Sequence, residues 1–151
     1  MNRLAGFAIL AILVLAASCS YEQWQDVRNG LAESLDQLPY LQNFEEITAV
    51  HGESRMESCY YAETVIVFGT AMSEAEALAT YADALHSLGW LDRRHDERSR
   101  VLIRGAHERI RVTGYQSLSV EMNEEYQQAK DDFPTIISVS LTFYVPQREG
   151  C

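Results

Sequence analysis

His95-Asp96-Glu97 places three potential metal ligands in a row, the densest such set in the chain. Neighbouring residues seldom converge on one ion, and Arg93, Arg94, Arg98 and Arg100 around them oppose a cation, so a solvated charged loop is expected over 92–100. His51, His86 and His107 stand alone in sequence, each suited to a surface or capping role. The acids Glu121, Glu124, Glu125, Asp131 and Asp132 lack the oxygen-ligand spacing of a calcium loop and fit a solvated helix face. There is no glycine-rich phosphate loop, nucleophile elbow, Cys-x-x-Cys pair or His-Glu-x-x-His motif. The expectation is a chain with no catalytic set, no metal site and no cofactor.

Arginine placement carries more information. Seven of the 12 basic side chains (Arg93, Arg94, Arg98, Arg100, Arg104, Arg109 and Arg111) fall between 92 and 111, in a chain with 22 acids and a formal charge of -10. That acidity argues against a nucleic-acid partner, because phosphate-backbone binding needs clustered cations to release counterions. Alternation over 101–104 and 109–115, around Gly105-Ala106-His107-Glu108, predicts a hairpin. With Val101, Ile103, Ile110 and Val112 turned to the core, Arg100, Arg104, Arg109 and Arg111 project from the open face of a sheet. Tyr61, Glu63, Tyr115, Ser138, Ser140, Thr142 and Tyr144 would share that face. Guanidinium forks pair bidentately with carboxylate or phosphate, and Tyr adds flat amphipathic area. The candidate binding face is therefore Arg104, Arg109 and Arg111 with Tyr61 and Tyr144, suited to an anionic ligand or a protein partner. Arginines on edge strands also block unwanted strand pairing, and that purely structural role stays open.

The elements that must position this face follow from local signals. Tyr60 to Phe68, aromatic and β-branched and closed by Gly69, predicts a strand. Ser73-Glu74-Ala75-Glu76 is a capping box that starts a helix bearing Leu78, Tyr81, Ala82, Leu85 and Leu88 on one side. Gly89 then ends the helix and Trp90 folds back, as in a Schellman motif. A short helix is expected over 121–132, and 135–145 alternates cleanly as a strand. Upstream, Trp24, Val27, Leu31, Leu35 and Leu38 predict an amphipathic helix ended by Pro39, while 41–57 reads as a connecting loop with one short strand. The order strand, helix, strand, strand, helix, strand predicts an α+β, ferredoxin-like sandwich with an antiparallel sheet and helices on one face, preceded by the N-terminal helix. An apolar content of 47% is enough for one such core.

Residues 1–20 read MNRLAGFAILAILVLAASCS. Arg3 gives a positive start and residues 4–17 carry no charge; as a helix they span about 21 Å, short of a hydrocarbon core of roughly 30 Å. A secretory signal is expected rather than a membrane span. The small residues before Cys19 suit ordinary signal peptidase, which would leave a plain thiol. Leu15-Ala16-Ala17-Ser18-Cys19 also resembles the lipobox of bacterial lipoproteins. The resemblance implies that Cys19 carries lipid, palmitate included, and heads a mature chain held on a membrane in the cell envelope, facing the periplasm or the extracellular space. With Cys19 so used, Cys59 and Cys151 remain as an even pair in an oxidising compartment, and a disulfide between them is expected.

The expected organisation is a signal peptide at 1–18, a lipid-anchored tether with an amphipathic helix at 19–57, and an α+β domain at 58–151. The expected role is a non-enzymatic binding or envelope-interaction module. The alternatives are a hydrolase of envelope polymers, or a structural or assembly subunit of an envelope complex. Intact-mass spectrometry of the chain from its native membrane should find residues 1–18 removed and lipid mass on Cys19. A retained leader, or a mature chain beginning with a bare thiol, would contradict the anchor.

Overall fold

The computed structural model describes residues 24–56, 59–114 and 129–146. In chain order they form helix α1 (residues 24–36), strands β1 (Glu45–Met56) and β2 (Cys59–Thr70), and helix α2 (Glu74–Ser87). Strands β3 (Leu91–Asp96), β4 (Ser99–Arg104), β5 (Glu108–Gly114) and β6 (Thr135–Pro146) follow. The six strands make one sheet in the order β1-β2-β6-β5-β4-β3, antiparallel at every step. The fold is α+β.

The twelve residues of β6 explain its central place. Ile137, Val139 and Leu141 are completely buried in the main core, and on the opposite side Ile136, Ser138 and Thr142 are buried as well. A strand covered on both faces belongs inside a sheet, where both of its edges are paired. The strand order therefore differs from the ferredoxin-like arrangement. That arrangement would seat β2 between β6 and β5, whereas here β6 lies between β2 and β5. A strand has only two edges, and those of β2 are taken by β6 and by β1. The antiparallel pairing of the last strand with the 60–68 strand is present, with Tyr60 opposite Val145 and Cys59 opposite Pro146.

One strand exceeds the short strand expected within 41–57, and another replaces the loop expected over 92–100. Residues 45–56 form β1, and 91–96 form β3. Both are edge strands with little apolar periodicity: Ala49 to Ser54 are exposed on β1, and every residue of β3 is exposed. Hairpin β1–β2 also runs across the boundary expected at 57/58.

Helix α2 begins as its sequence predicts. The Ser73 side chain accepts from the Glu76 amide, and the Glu76 carboxylate accepts from the Ser73 amide at 3.1 Å. At the other end, Gly89 takes φ +86° and donates to His86 O, while Trp90 N donates to Leu85 O at 3.2 Å. These two bonds are those of a Schellman motif, and they turn Trp90 into the core at 1% exposure. Leu88, expected on the apolar side, is the exposed C-cap.

Helices α1 and α2 both pack on one face of the sheet. Val27 and Leu31 of α1 join Leu78, Tyr81 and Leu85 of α2 in the core over β4, β5 and β6. Gly30 lies directly on Phe143 of β6, so that a methyl group at residue 30 would fall 2.2 Å from the ring. Trp24 meets Tyr60 edge to face at 4.8 Å. On the other face a smaller cluster joins Val67, Ile136, Ala129, Ile47 and Phe133 beside a helical turn at 129–132. The rest of the short helix expected over 121–132 lies outside the described residues.

Candidate functional site

Strand register decides which arginines share a face. On β4 and β5, Leu102 lies opposite Ile110, Val101 opposite Arg111, Ile103 opposite Arg109, and Arg104 opposite Glu108. Opposed residues lie on the same side of a sheet. Leu102 and Ile110 are fully buried beneath the helices, so Arg100 and Arg104 belong to the helix-covered side. Val101 and Ile103 lie on the open side with Arg109 and Arg111. The expected phase of β4 is thus shifted by one residue. Val101-Leu102-Ile103 is apolar throughout, so alternation alone fits either phase, and the fully buried Leu102 resolves it.

The open face brings together four of the five residues expected there: Arg109, Arg111, Tyr61 and Tyr144. Arg111 stands opposite Ser140, and Arg109 opposite Thr142. Tyr61 stands opposite Tyr144, and Glu63 opposite Thr142. The Ser140 hydroxyl donates to the Glu63 carboxylate. Arg109 and Arg111 are exposed, whereas Thr113, Ser138 and Thr142 are buried, so the accessible surface is narrower than the full set of alternating positions. The Thr113 hydroxyl is buried without a hydrogen-bond partner among the described residues. Tyr115 lies outside them.

A third arginine joins this face in place of Arg104. Arg94 on β3 is exposed and lies opposite Val101, in line with Arg111 two strands away, about 10 Å between backbones. Reading 92–100 as a loop hid it. Val101 and Ile103, half-buried between the strands that carry the arginines, give the guanidinium stems an apolar bed.

Arg104 has a different task. Its Nε and Nη2 donate to the two Glu108 oxygens at 2.7 and 2.6 Å, and its guanidinium lies 4.7 Å from the centroid of the Trp90 ring. The Ser34 hydroxyl sits between the Gly30 carbonyl, at 2.8 Å, and the same Glu108 carboxylate. The side chains of Arg104 and Glu108 are only 22% and 16% exposed. The pair thus ties hairpin β4–β5 to helix α1 and to the end of α2. Burial works to raise the Glu108 pKa, but hydrogen bonds from Arg104 and Ser34 outweigh it and hold the carboxyl below the usual Glu range.

The histidines find local partners. His86 Nε2 lies 3.1 Å from Asp92, His107 Nδ1 2.9 Å from the Tyr144 carbonyl, and His51 Nδ1 2.8 Å from the Thr64 hydroxyl. His95 is exposed on β3. Among the described residues no three His, Cys, Asp or Glu side chains are grouped to hold a metal, and no helix is long and apolar enough to cross a membrane. An apolar cleft of about 230 Å³ opens between the end of α1, β1, β2 and α2, lined by Leu35, Phe44, Phe68 and Tyr81 among others. It is smaller than the ~300–1,000 Å³ usual for small-molecule sites. Cys19, Cys151 and the side chain of Cys59 lie outside the described residues.

No protein-family profile, curated protein or solved structure matches the chain.

Because the Glu108 pKa is lowered on folding, the stability it supplies is complete above the unfolded value and is lost as pH falls through the folded one. Glu108→Gln should therefore cost about 1–2 kcal/mol at pH 7. The gap from the parent protein should narrow when the pH is brought below the usual Glu range. Urea midpoints at the two pH values check both points. An equal deficit at both would contradict this linkage.

Proposed function

We propose that the chain is an exported lipoprotein, anchored to a membrane of the cell envelope through lipid on Cys19, whose domain binds an anionic group of an envelope polymer or protein through the open face of its sheet. The observation that carries the binding role is the exposure of Arg94, Arg109 and Arg111 on one side of a sheet whose other side is committed to helices, in a chain of net charge -10. Most surfaces of so acidic a protein repel anions, and this one gathers guanidinium forks beside Tyr61 and Tyr144. The proposed role is binding: His51, His86 and His107 are each engaged by a local partner, His107 by the Tyr144 carbonyl.

The lipobox resemblance at 15–19 supports the anchor. Cys59 is paired with Pro146, only five residues before Cys151 in sequence, which supports a Cys59–Cys151 disulfide. Such a bridge would close a loop of about 90 residues, stabilising the fold by up to ~4.6 kcal/mol.

A charge-reversed variant, Arg94→Glu with Arg109→Glu and Arg111→Glu, tests the face. Retention of the parent protein on polyphosphate and polyuronate resins at low salt should fall at least roughly tenfold, since each charge-assisted hydrogen bond is worth about 1.5–3 kcal/mol. Circular dichroism should stay unchanged. Undiminished retention by a folded variant would remove the face as a binding site.

A further inference from the structure

The two edges of the sheet are built differently. Edge strand β3 is six residues long, broken by an irregularity between Asp92 and Arg94, and carries Asp92, Arg93, Arg94, His95 and Asp96. Both edge strands carry one irregularity, but short length and dense charge are further features by which an edge strand resists pairing with another chain. Edge strand β1 is twelve residues long, and Thr48 to Gly52 carry no formal charge. Its residues from Ala49 to Ser54 are exposed, and Val50 is 61% exposed.

We propose that β1 is an interface at which a second copy of this chain pairs, antiparallel and centred on Val50. Antiparallel pairing of a strand with itself is two-fold symmetric, so every backbone exchange is made twice and the assembly closes as a dimer. In this register Val50 faces Val50 of the second copy, Thr48 faces its Gly52, and Ala49 faces its His51. No like charges meet in that window, and the central pair is β-branched. Val50 lies opposite Val65 on the open side, so the contact extends an apolar strip already present on β2. The irregularity between Glu46 and Thr48 interrupts the ladder and sets the acidic pair Glu45-Glu46, paired beyond it, apart from this window. At the other end, Glu53 is held by Arg28 at 2.6 and 2.8 Å. The sheet would then run continuously through twelve strands with both open faces on the same side. The two β5 strands would stand seven strand spacings apart, about 33 Å. A polymer could span both.

The test uses the full chain in detergent. Sedimentation should give a dimer for the parent protein and a monomer for Val50→Lys, with unchanged circular dichroism. Under mild oxidation, Val50→Cys should form a cross-linked dimer roughly tenfold faster than Leu91→Cys on the blunted edge. A monomeric parent protein, a dimer that survives Val50→Lys, or equal cross-linking from the two edges would each overturn the proposal.

Discussion

The contact of Gly30 with the Phe143 ring sets how closely helix α1 lies against β6. With no side chain at that point the helix can settle onto the aromatic ring, and its neighbours then fall within reach of the sheet. Val27 is fully buried, Leu31 nearly so, and Trp24 meets Tyr60. One turn beyond Gly30, Ser34 reaches the Glu108 carboxylate that also holds Arg104. A glycine that weakens a free-standing helix serves here as the seat of a packed one.

Because both helices are committed to one face, the two faces of the sheet have different fates. On the covered face Arg104 lies over Trp90 and is neutralised by Glu108, so its charge is spent within the fold. On the other face Arg109 and Arg111, with Arg94 alongside, keep their guanidinium groups in solvent. The distinction comes from strand phase alone. Arg104 and Arg109 are five residues apart on the two arms of one hairpin, and the register of β4 with β5 sends them to opposite sides.

Much of this was legible in the sequence where the signals are local. The capping box at Ser73, the Gly89-Trp90 helix ending and the alternation of 135–145 each depend on residues close along the chain, and each is present in the fold. The full length of β1, expected only as one short strand, and the whole of β3 were not legible, because an exposed edge strand buries little and so has no apolar period. The phase of β4 was ambiguous because three successive branched apolar residues satisfy either choice. Strand order was the least accessible feature. It turned on whether β1 would take the second edge of β2, a contact that composition and periodicity do not encode. The candidate face suffered from the last two in combination: Arg104 entered it and Arg94 was missed.

The seating of helix α1 on β6 commits one face of the sheet to helix packing, and the stability of Gly30→Ala tests it most directly. In a helix free in solvent the substitution should stabilise by about 1 kcal/mol, since alanine is the better helix former. In the packed helix the added methyl group meets Phe143, and urea unfolding should show a loss of about 1–3 kcal/mol. A loss of that size supports the packed helix. An unchanged or increased stability would mean that residues 24–36 do not cover the sheet, and the separation of its two faces would lose its basis.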